Sequence, residues 1–397
     1  MTGHIRRRGE RSWELKYDVT AGDGRRKTRY ASFKGTKRDA ALELAKLITA
    51  AAAGEQVDPS RVTVGEFIDR WHRDWCKPNV SPKTAERYEE LMRIHVVPHI
   101  GETRLQKLRA VQLVELYGKL AGKLAPRTIG HVHRTLHQAL SKAVDWDLLS
   151  VNVGSRVKPP RVEDDEVEIL TVEQLQAVLA AVRTVWINPI AKLALASGLR
   201  RGELLALRWQ DLDLNAGRIT VARSLEQTKA GLRFKEPKTK RGRRTITLPA
   251  TALSDLKAHW SLQQELRLRL GIGKSPPTSL VFCDINSDPL IPQTVSQTWM
   301  KITASAKVEA TFHSLRHTHV SHLIAAGVDI LTISRRIGHS SPVVTLKTYG
   351  HLMPQTDDKA ALAIEAALSA STKLEQQDLI GGGNPVAIDF SGSSDGH

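Results

Sequence analysis

The sequence predicts a multidomain protein with a small α+β N-terminal unit, an all-α unit, and a larger mainly α unit that contains a small β-sheet. Three observations lead to this fold class. Short alternating apolar runs occur near the N-terminus, helical spacing dominates the middle, and the last part mixes both periods. The 397 residues also suffice for two or three separate cores.

The first predicted unit, residues 1–58, combines a three-stranded sheet with one helix. Alternating runs at Trp13–Val19 and Arg29–Phe33 lie on either side of a turn-rich segment, as in a hairpin. A helical pattern follows from Lys37 to Ala53. This unit carries more basic than acidic residues, so it is expected to be small and basic.

The second predicted unit, residues 62–160, is all helix. Its first helix carries apolar residues from Val64 to Trp71 at helical spacing. Ser81-Pro82 and Ala125-Pro126 each place a proline at the first position of a further helix. Pro159-Pro160 and the acidic run at residues 163–166 then indicate a linker.

The third predicted unit covers residues 168–372. It opens with a capping box formed by Thr171 and Gln174. Residues 217–248 are interpreted as short strands joined by basic turns, and helices are expected on both sides of them. The remaining residues, 373–397, are rich in glycine and serine and are expected to form a flexible tail.

The composition excludes several classes of protein. A formal net charge of +16 favours a polyanionic partner, of which nucleic acid is the commonest. The two cysteines, Cys76 and Cys283, are isolated, which argues against disulfides and a cysteine zinc site and fits a reducing cytoplasm. We find no signal peptide and no membrane span in the sequence.

Four segments of the third unit carry residues suited to breaking a phosphodiester without a metal. They centre on Arg200, Lys238, the pair His313 and Arg316, and Gly338-His339; Tyr349 follows ten residues after His339. Two guanidinium groups match the charge on the non-bridging oxygens of the transition state. A phenol can attack phosphorus if a base accepts its proton, and a lysine can protonate the leaving hydroxyl.

Local geometry supports the grouping. His313 and Arg316 lie three residues apart, so they share one face of a helix. Gly338 can end a helix in the left-handed conformation. Ser341-Pro342 then starts another helix, on which Tyr349 lies about two turns along.

In order and spacing, these segments resemble the tyrosine recombinases of the phage integrase type. The second unit resembles their SAM-like core-binding domain, and the first unit resembles the arm-type DNA-binding domain of three-domain integrases. The resemblance implies a catalytic domain like that of tyrosine recombinases and type IB topoisomerases. It also implies that His339 stabilises the transition state and that Glu203 orients the site.

The other roles follow from the same resemblance. Arg200 and Arg316 would clamp the scissile phosphate. Lys238 would act as the general acid, and His313 as the base or a proton shuttle. Tyr349 would form a 3′-phosphotyrosine intermediate, from which DNA is rejoined without ATP.

The implied function is site-specific integration of a phage or mobile element. The partners would be double-stranded DNA attachment sites, three further copies of the chain in a homotetramer that forms a Holliday junction, a directionality factor and a host DNA-bending protein. Neither a metal nor another cofactor would be needed. The candidate DNA contacts are Arg6, Arg7, Arg8, Arg241, Arg243 and Arg244.

Three alternatives remain open. A type IB topoisomerase or a Xer-like chromosome-dimer resolvase would use the same chemistry, although Xer-like proteins resemble only the second and third units. A non-enzymatic regulator would use Leu331–Gly350 as a helix-turn-helix.

His313 and His317 have metal-ligand spacing, but the sequence has no third ligand at a clear spacing.

Overall fold

The structure is a computed structural model, and it describes residues 3–20, 26–52, 60–162, 167–236, 242–353, 357–358 and 361–369. It has two compact units: one comprises residues 1–165 with 226–233, and the other comprises the rest. The predicted acidic linker residues 163–166 and the predicted tail, residues 373–397, lie outside the described residues.

The chain begins with an antiparallel sheet of three strands and one helix packed on it. These are β1 (Gly3–Gly9), β2 (Ser12–Thr20), β3 (Arg26–Lys34) and α1 (Lys37–Ala52). The strands lie in sequence order, and the register pairs Trp13 with Phe33. Leu15 and Leu44 are buried in a cluster between sheet and helix, so this segment has a core of its own.

The following segment is all helix. It contains α2 (Val64–Trp71), α3 (Lys77–Asn79), α4 (Pro82–His95), α5 (Val97–Ile100), α6 (Ala110–Ala121) and α7 (Pro126–Asp145). Ser81 and Ala125 occupy the N-cap positions before prolines, as predicted. Phe67, Trp71 and Leu136 are buried in one shared cluster. The all-α prediction for this part of the chain is confirmed.

The second unit is mainly helical and contains short strands. Its helices are α8 (Val172–Val182), α9 (Asn188–Ser197), α10 (Arg201–Leu204), α11 (Ala250–Arg269), α12 (Pro292–Ser305), α13 (Ser314–Ala325), α14 (Ile330–Ile337) and α15 (Pro342–Tyr349). The strands β4 (Leu212–Asp213), β5 (Arg218–Val221) and β8 (Arg244–Thr247) form one antiparallel sheet. A separate two-stranded sheet pairs β6 (Ser224–Thr228) with β7 (Gly231–Lys235), and its residues 226–233 belong to the first unit. The predicted capping box of Thr171 and Gln174 is present.

Two hydrophobic clusters hold this unit together. The larger one surrounds Trp299 and Leu315, and it draws on α8, α9 and α12. The smaller one contains Ile333, Ile337 and Tyr349, and it joins α13, α14 and α15. The smaller cluster positions the candidate nucleophile, because the ring of Tyr349 is one of its members.

Within the described residues, four separate hydrophobic clusters therefore occur, two before residue 160 and two after residue 166. This pattern agrees with the predicted order of units, although the exact domain boundaries stay a prediction. No helix in the described part of the chain combines the length and apolar character needed to cross a membrane.

Candidate active site

Arg316 lies in the first turn of α13 and is only 2% exposed. Its Nη1 donates to the carbonyl oxygen of Gly198 at 2.6 Å, and its Nη2 donates to that of Ile337 at 2.7 Å. Both acceptors lie at helix C-termini, whose unpaired carbonyls carry partial negative charge. Burial and then the positive charge of Arg200 lower the pKa of Arg316 to about 9, so the guanidinium stays charged at neutral pH.

Arg200 occupies the N-cap of α10, and its side chain is 42% exposed. Its Nη2 donates to the carbonyl oxygen of Gly338 at 3.0 Å, and its Nη1 donates to Glu203 Oε1 at 2.9 Å. Gly338 directly follows Ile337, so adjacent carbonyls at the end of α14 hold the two arginines. The more exposed guanidinium of Arg200 is available to a bound phosphate.

Glu203 joins Arg200 to a third guanidinium. Arg244 Nη2 donates to Glu203 Oε2 at 2.9 Å, and both side chains are less than 10% exposed. Arg244 Nε also donates to the carbonyl oxygen of Arg336 at 2.7 Å. Burial would raise the pKa of Glu203, but hydrogen bonds from Arg244 and the charges of Arg244 and Arg200 hold it below its usual value. The carboxylate is therefore ionised and locks the positions of two arginines.

Two glycines supply the carbonyls that hold Arg316 and Arg200. Gly198 has φ +66° and Gly338 has φ +67°, both in the left-handed region that favours glycine. A Cβ on Gly338 would lie 2.7 Å from Arg244 Nη1, and one on Gly198 would lie 2.5 Å from the His319 ring. The backbone conformation and the close packing both require glycine at these positions.

Three histidines surround the buried guanidinium of Arg316. His313 caps the start of α13 and His317 lies one turn later, with ring centroids 4.7 Å apart. His339 follows the end of α14, and its Nδ1 lies 2.8 Å from Thr345 Oγ1. Burial and neighbouring positive charges lower the pKa of both His313 and His339 to about 4. These imidazoles are therefore neutral at physiological pH.

Tyr349 is the last residue of α15 and is 1% exposed. Its hydroxyl lies 2.7 Å from Nδ1 of His317. Burial raises the pKa of Tyr349 to about 12, while the charges of Arg316 and Arg200 oppose that rise. The phenol is therefore protonated at rest, and it lies within electrostatic reach of both guanidinium groups.

The chain contains two recognised family segments. Residues 168–356 match the Phage integrase family, and residues 63–121 match the family described as Phage integrase, N-terminal SAM-like domain. The first match covers the residues of the candidate site, and the second covers α2 to α6 of the helical segment. The chain is a tyrosine recombinase of the phage integrase family.

Relatives and solved structures agree with this assignment. A Tyrosine recombinase XerC-like protein of Caldanaerobacter subterraneus is 27% identical, over 82% of this chain and 88% of its own length. An Integrase of Streptomyces ambofaciens is 29% identical, over 79% of this chain and 82% of its own length. The Tn1549 transposon integrase in complex with transposon right end DNA matches with a TM-score of 0.64 at 22% identity, over 77% of this chain and 99% of that one. The last match confirms the fold class, and the family assignment makes the chain a site-specific recombinase.

The structure brings together five of the six predicted catalytic residues. Glu203, which was predicted to orient the site, contacts one of them, Arg200. The five are Arg200, His313, Arg316, His339 and Tyr349. Lys238 lies outside the described residues, as does Arg241. The catalytic roles of all these residues stay predictions.

Sequence reasoning missed the role of His317. It considered this histidine only as a metal ligand with His313, and the structure instead places its ring on the Tyr349 hydroxyl. The available signal was its spacing of four residues from His313, because residues at that spacing share one face of a helix. His317 also directly follows Arg316 in the sequence. Within the described residues, no group of three or more His, Cys, Asp or Glu side chains could hold a metal ion.

The predicted DNA contacts have different environments. Arg6, Arg7 and Arg8 lie exposed on β1, where Arg8 pairs with Glu14 at 2.6 Å. Arg243 is exposed and, with Arg335, lines a cavity of about 410 Å³ beside His339. These exposed side chains stay candidates for contacts with phosphates.

Arg244 departs from the expectation of an exposed phosphate contact. Its side chain is 7% exposed, and its guanidinium bonds Glu203 and the carbonyl oxygen of Arg336. Sequence alone could not separate it from the neighbouring Arg243, since both belong to the same basic run. Arg244, at the start of β8, is thus held by Glu203 and the end of α14, and its contact with DNA stays a prediction.

Glu203→Gln should strongly destabilise the fold, because it leaves the buried Arg244 charge without its carboxylate. We expect the free energy of unfolding in urea to fall by about 3–5 kcal/mol near pH 7. Glu265→Gln, which breaks the exposed pair with Arg269, is the control and should cost less than about 1 kcal/mol.

The Glu203 effect should also depend on pH. Its folded pKa is depressed, so its contribution is complete above the unfolded pKa and is lost as pH falls through the folded value. The difference between wild type and Glu203→Gln should therefore shrink in acid. Equal losses for both variants at pH 7 would contradict the structural role of Glu203.

Proposed function

We propose that this recombinase cuts and rejoins the DNA attachment sites of a phage or integrative mobile element through a 3′-phosphotyrosine at Tyr349. One observation supports the proposal most directly. A buried phenol lies within electrostatic reach of two guanidinium groups that adjacent carbonyls of α14 hold in place. A phosphate that entered this site would meet two fixed cations and one nucleophile.

Arg200 and Arg316 form the phosphate clamp in this proposal. Their guanidinium groups come from different segments and are fixed before DNA binds, so little reorganisation is needed as charge develops on the non-bridging oxygens. His339 adds a neutral ring near both arginines and stabilises the transition state through its free nitrogen. Its Nδ1 is already engaged by Thr345, which orients the ring.

The covalent step needs proton transfers on both sides of phosphorus. Tyr349 forms a bond to phosphorus while the bond to the 5′ oxygen of the leaving strand breaks. We assign Lys238 as the acid that protonates that oxygen and His313 as the base or proton shuttle. The neutral state of His313 fits this role, because a base must be unprotonated before it acts.

The proposed partners follow from the family. Double-stranded attachment-site DNA is the substrate, and a homotetramer would exchange strands in pairs through a Holliday junction. A solved structure of lambda integrase shows a tetramer bound to a Holliday junction, and it matches this chain with a TM-score of 0.56. A directionality factor, a host DNA-bending protein and a location in the bacterial cytoplasm stay predictions.

A Xer-like chromosome-dimer resolvase is the second candidate, because one relative carries a XerC-like name. The N-terminal sheet and helix favour an integrase instead. Residues 3–52 form β1–β3 and α1 around their own buried cluster, in front of the SAM-like segment. Such an additional basic unit suits binding to arm-type sites, which a resolvase does not require.

Tyr349→Phe should bind DNA normally and form no covalent adduct, because the nucleophilic oxygen is lost. Nicked suicide duplexes with a randomised core site would be incubated with the chain, and SDS-resistant adducts would be isolated and sequenced. Tyr117→Phe is a matched control, since the Tyr117 hydroxyl also bonds a histidine, His133, at 3.0 Å. Adduct formation by Tyr349→Phe would remove Tyr349 as the nucleophile.

Lys238→Ala should slow adduct formation by about 10²-fold or more on ordinary DNA. A substrate with a 5′-bridging sulfur should restore the rate, because a thiolate leaves without a proton. Lys240→Ala is the neighbouring control and should show neither defect nor rescue. If the sulfur substrate fails to rescue Lys238→Ala, the general-acid assignment is wrong.

Deletion of residues 1–58 should impair integration on complete attachment sites and spare cleavage of isolated core sites. The removed segment has its own hydrophobic cluster, so the helical segment should still fold. Integration and core-site cleavage would be measured side by side for intact and shortened chains. Equal integration by both would favour the resolvase over the integrase.

A further inference from the structure

The hydroxyl of Tyr349 has a defined hydrogen-bond partner that the roles assigned so far do not use. We propose that Nδ1 of His317 accepts the Tyr349 proton as the phenol attacks phosphorus, which makes His317 a catalytic residue of the cleavage step. This inference rests on the proposed function; it assigns the base to His317 and leaves His313 the role of proton shuttle.

The geometry places the base on the reacting atom itself. Nδ1 of His317 lies 2.7 Å from the Tyr349 hydroxyl, and the two ring centroids are 5.6 Å apart. This distance is within the range expected for a general base and the proton that it removes. α13 supplies the imidazole, α15 supplies the phenol, and their shared cluster with α14 fixes both helices.

The surroundings of His317 keep the ring neutral at rest. Burial and the positive charge of Arg316 lower its pKa, whereas Glu168 opposes that change. His313, His339 and Tyr349 are the other titratable groups near the ring. In the tautomer that carries its proton on Nε2, the neutral imidazole accepts the hydrogen bond from the phenol at Nδ1, and this is the tautomer that the proposal requires.

The step balances in atoms and charge. The O–H bond of Tyr349 breaks and its proton forms an N–H bond on Nδ1 of His317, while the phenol oxygen bonds to phosphorus. The bond from phosphorus to the 5′ oxygen breaks, and that oxygen receives a proton from the general acid. The phenol pKa is far above that of the imidazole, so the proton moves as the new bond to phosphorus forms.

A bound phosphate and Glu168 would both stabilise the imidazolium that His317 becomes after it accepts the proton. The imidazolium would form beside Arg316, which disfavours it in the empty site. A bound phosphodiester adds negative charge next to Arg316 and reduces that repulsion. His317 therefore becomes a better base when DNA is present, and the resting chain keeps its nucleophile protonated.

A second tyrosine–histidine pair in the chain provides an internal comparison. The Tyr117 hydroxyl lies 3.0 Å from Nδ1 of His133 in the helical segment. Burial raises the pKa of Tyr117, whereas at Tyr349 the charges of Arg316 and Arg200 oppose the rise that burial causes. The pair at Tyr349 differs in lying beside the proposed phosphate clamp.

His317→Asn tests the inference, because the amide oxygen can replace Nδ1 as a hydrogen-bond acceptor but cannot take a proton. Adduct formation would be followed in single turnover from pH 6.5 to 9 on a suicide duplex with a 5′-bridging sulfur. The sulfur removes the need for the general acid, so the rate reports only the deprotonation of Tyr349 and its attack on phosphorus.

We expect the wild-type rate to vary little over this range, because His317 is already unprotonated. His317→Asn should be about 10²-fold slower at pH 7 and should accelerate about tenfold per pH unit, as the phenolate fraction grows. His133→Asn, the matched control, should keep the wild-type rate and profile. A His317→Asn profile like that of wild type would show that His317 only positions Tyr349, and would overturn the proposal.

Incorporation of 3,5-difluorotyrosine at position 349 provides a second measurement. The more acidic phenol needs less help from a base, so it should restore most of the His317→Asn rate at pH 7. DNA binding and thermal unfolding of each variant would show whether it folds. If difluorotyrosine fails to rescue a folded His317→Asn chain, the proposal is wrong.

These outcomes separate the inference from the proposed function. If the wild-type chain formed no adduct on any duplex, covalent cleavage itself would be refuted. If the wild-type chain and His317→Asn both formed adducts with the same pH profile, only the role of His317 would be refuted. The cleavage assignment to Tyr349 would then stand with a different base.

Discussion

The site depends on the attraction between guanidinium groups and the carbonyl ends of two helices. α9 ends at Gly198 and α14 ends at Ile337 and Gly338, and the carbonyls there accept hydrogen bonds from Arg316 and Arg200. A helix C-terminus carries partial negative charge and leaves carbonyls unpaired, so a cation bound there is stabilised. The arginines in turn satisfy carbonyls that would otherwise be buried without partners.

This arrangement also explains why the site is held open for an anion. Glu203 neutralises part of the charge of Arg200 and Arg244, whereas the guanidinium of Arg316 donates to two neutral carbonyls. Its lowered pKa records the cost of burying a cation among other cations. A phosphodiester would relieve that cost, so substrate binding and the stability of the site are linked.

The same electrostatic field acts on Tyr349, the proposed nucleophile. Burial and positive charge keep the neighbouring histidines neutral, and burial keeps the phenol of Tyr349 protonated. Tyr349 is at once a member of a hydrophobic cluster and a partner of His317. Hydrophobic packing therefore fixes the ring of Tyr349, and the hydrogen bond to His317 fixes its hydroxyl oxygen.

The sequence by itself determined the fold class, the family and most of the helix starts, because these depend on local patterns. Proline after an N-cap residue, the Thr171 capping box and a glycine at the end of α14 act within a few residues of the chain. The spacing from Gly338 to Tyr349 also placed the nucleophile at the end of one short helix.

Only the tertiary structure decided which members of each basic or histidine-rich run meet. Arg243 and Arg244 are neighbours in sequence, yet one is exposed and the other is buried against Glu203. His317 contacts Tyr349 although 32 residues separate them along the chain. These outcomes depend on how β8, α13, α14 and α15 pack together, and contacts between distant segments leave no periodic pattern in the sequence.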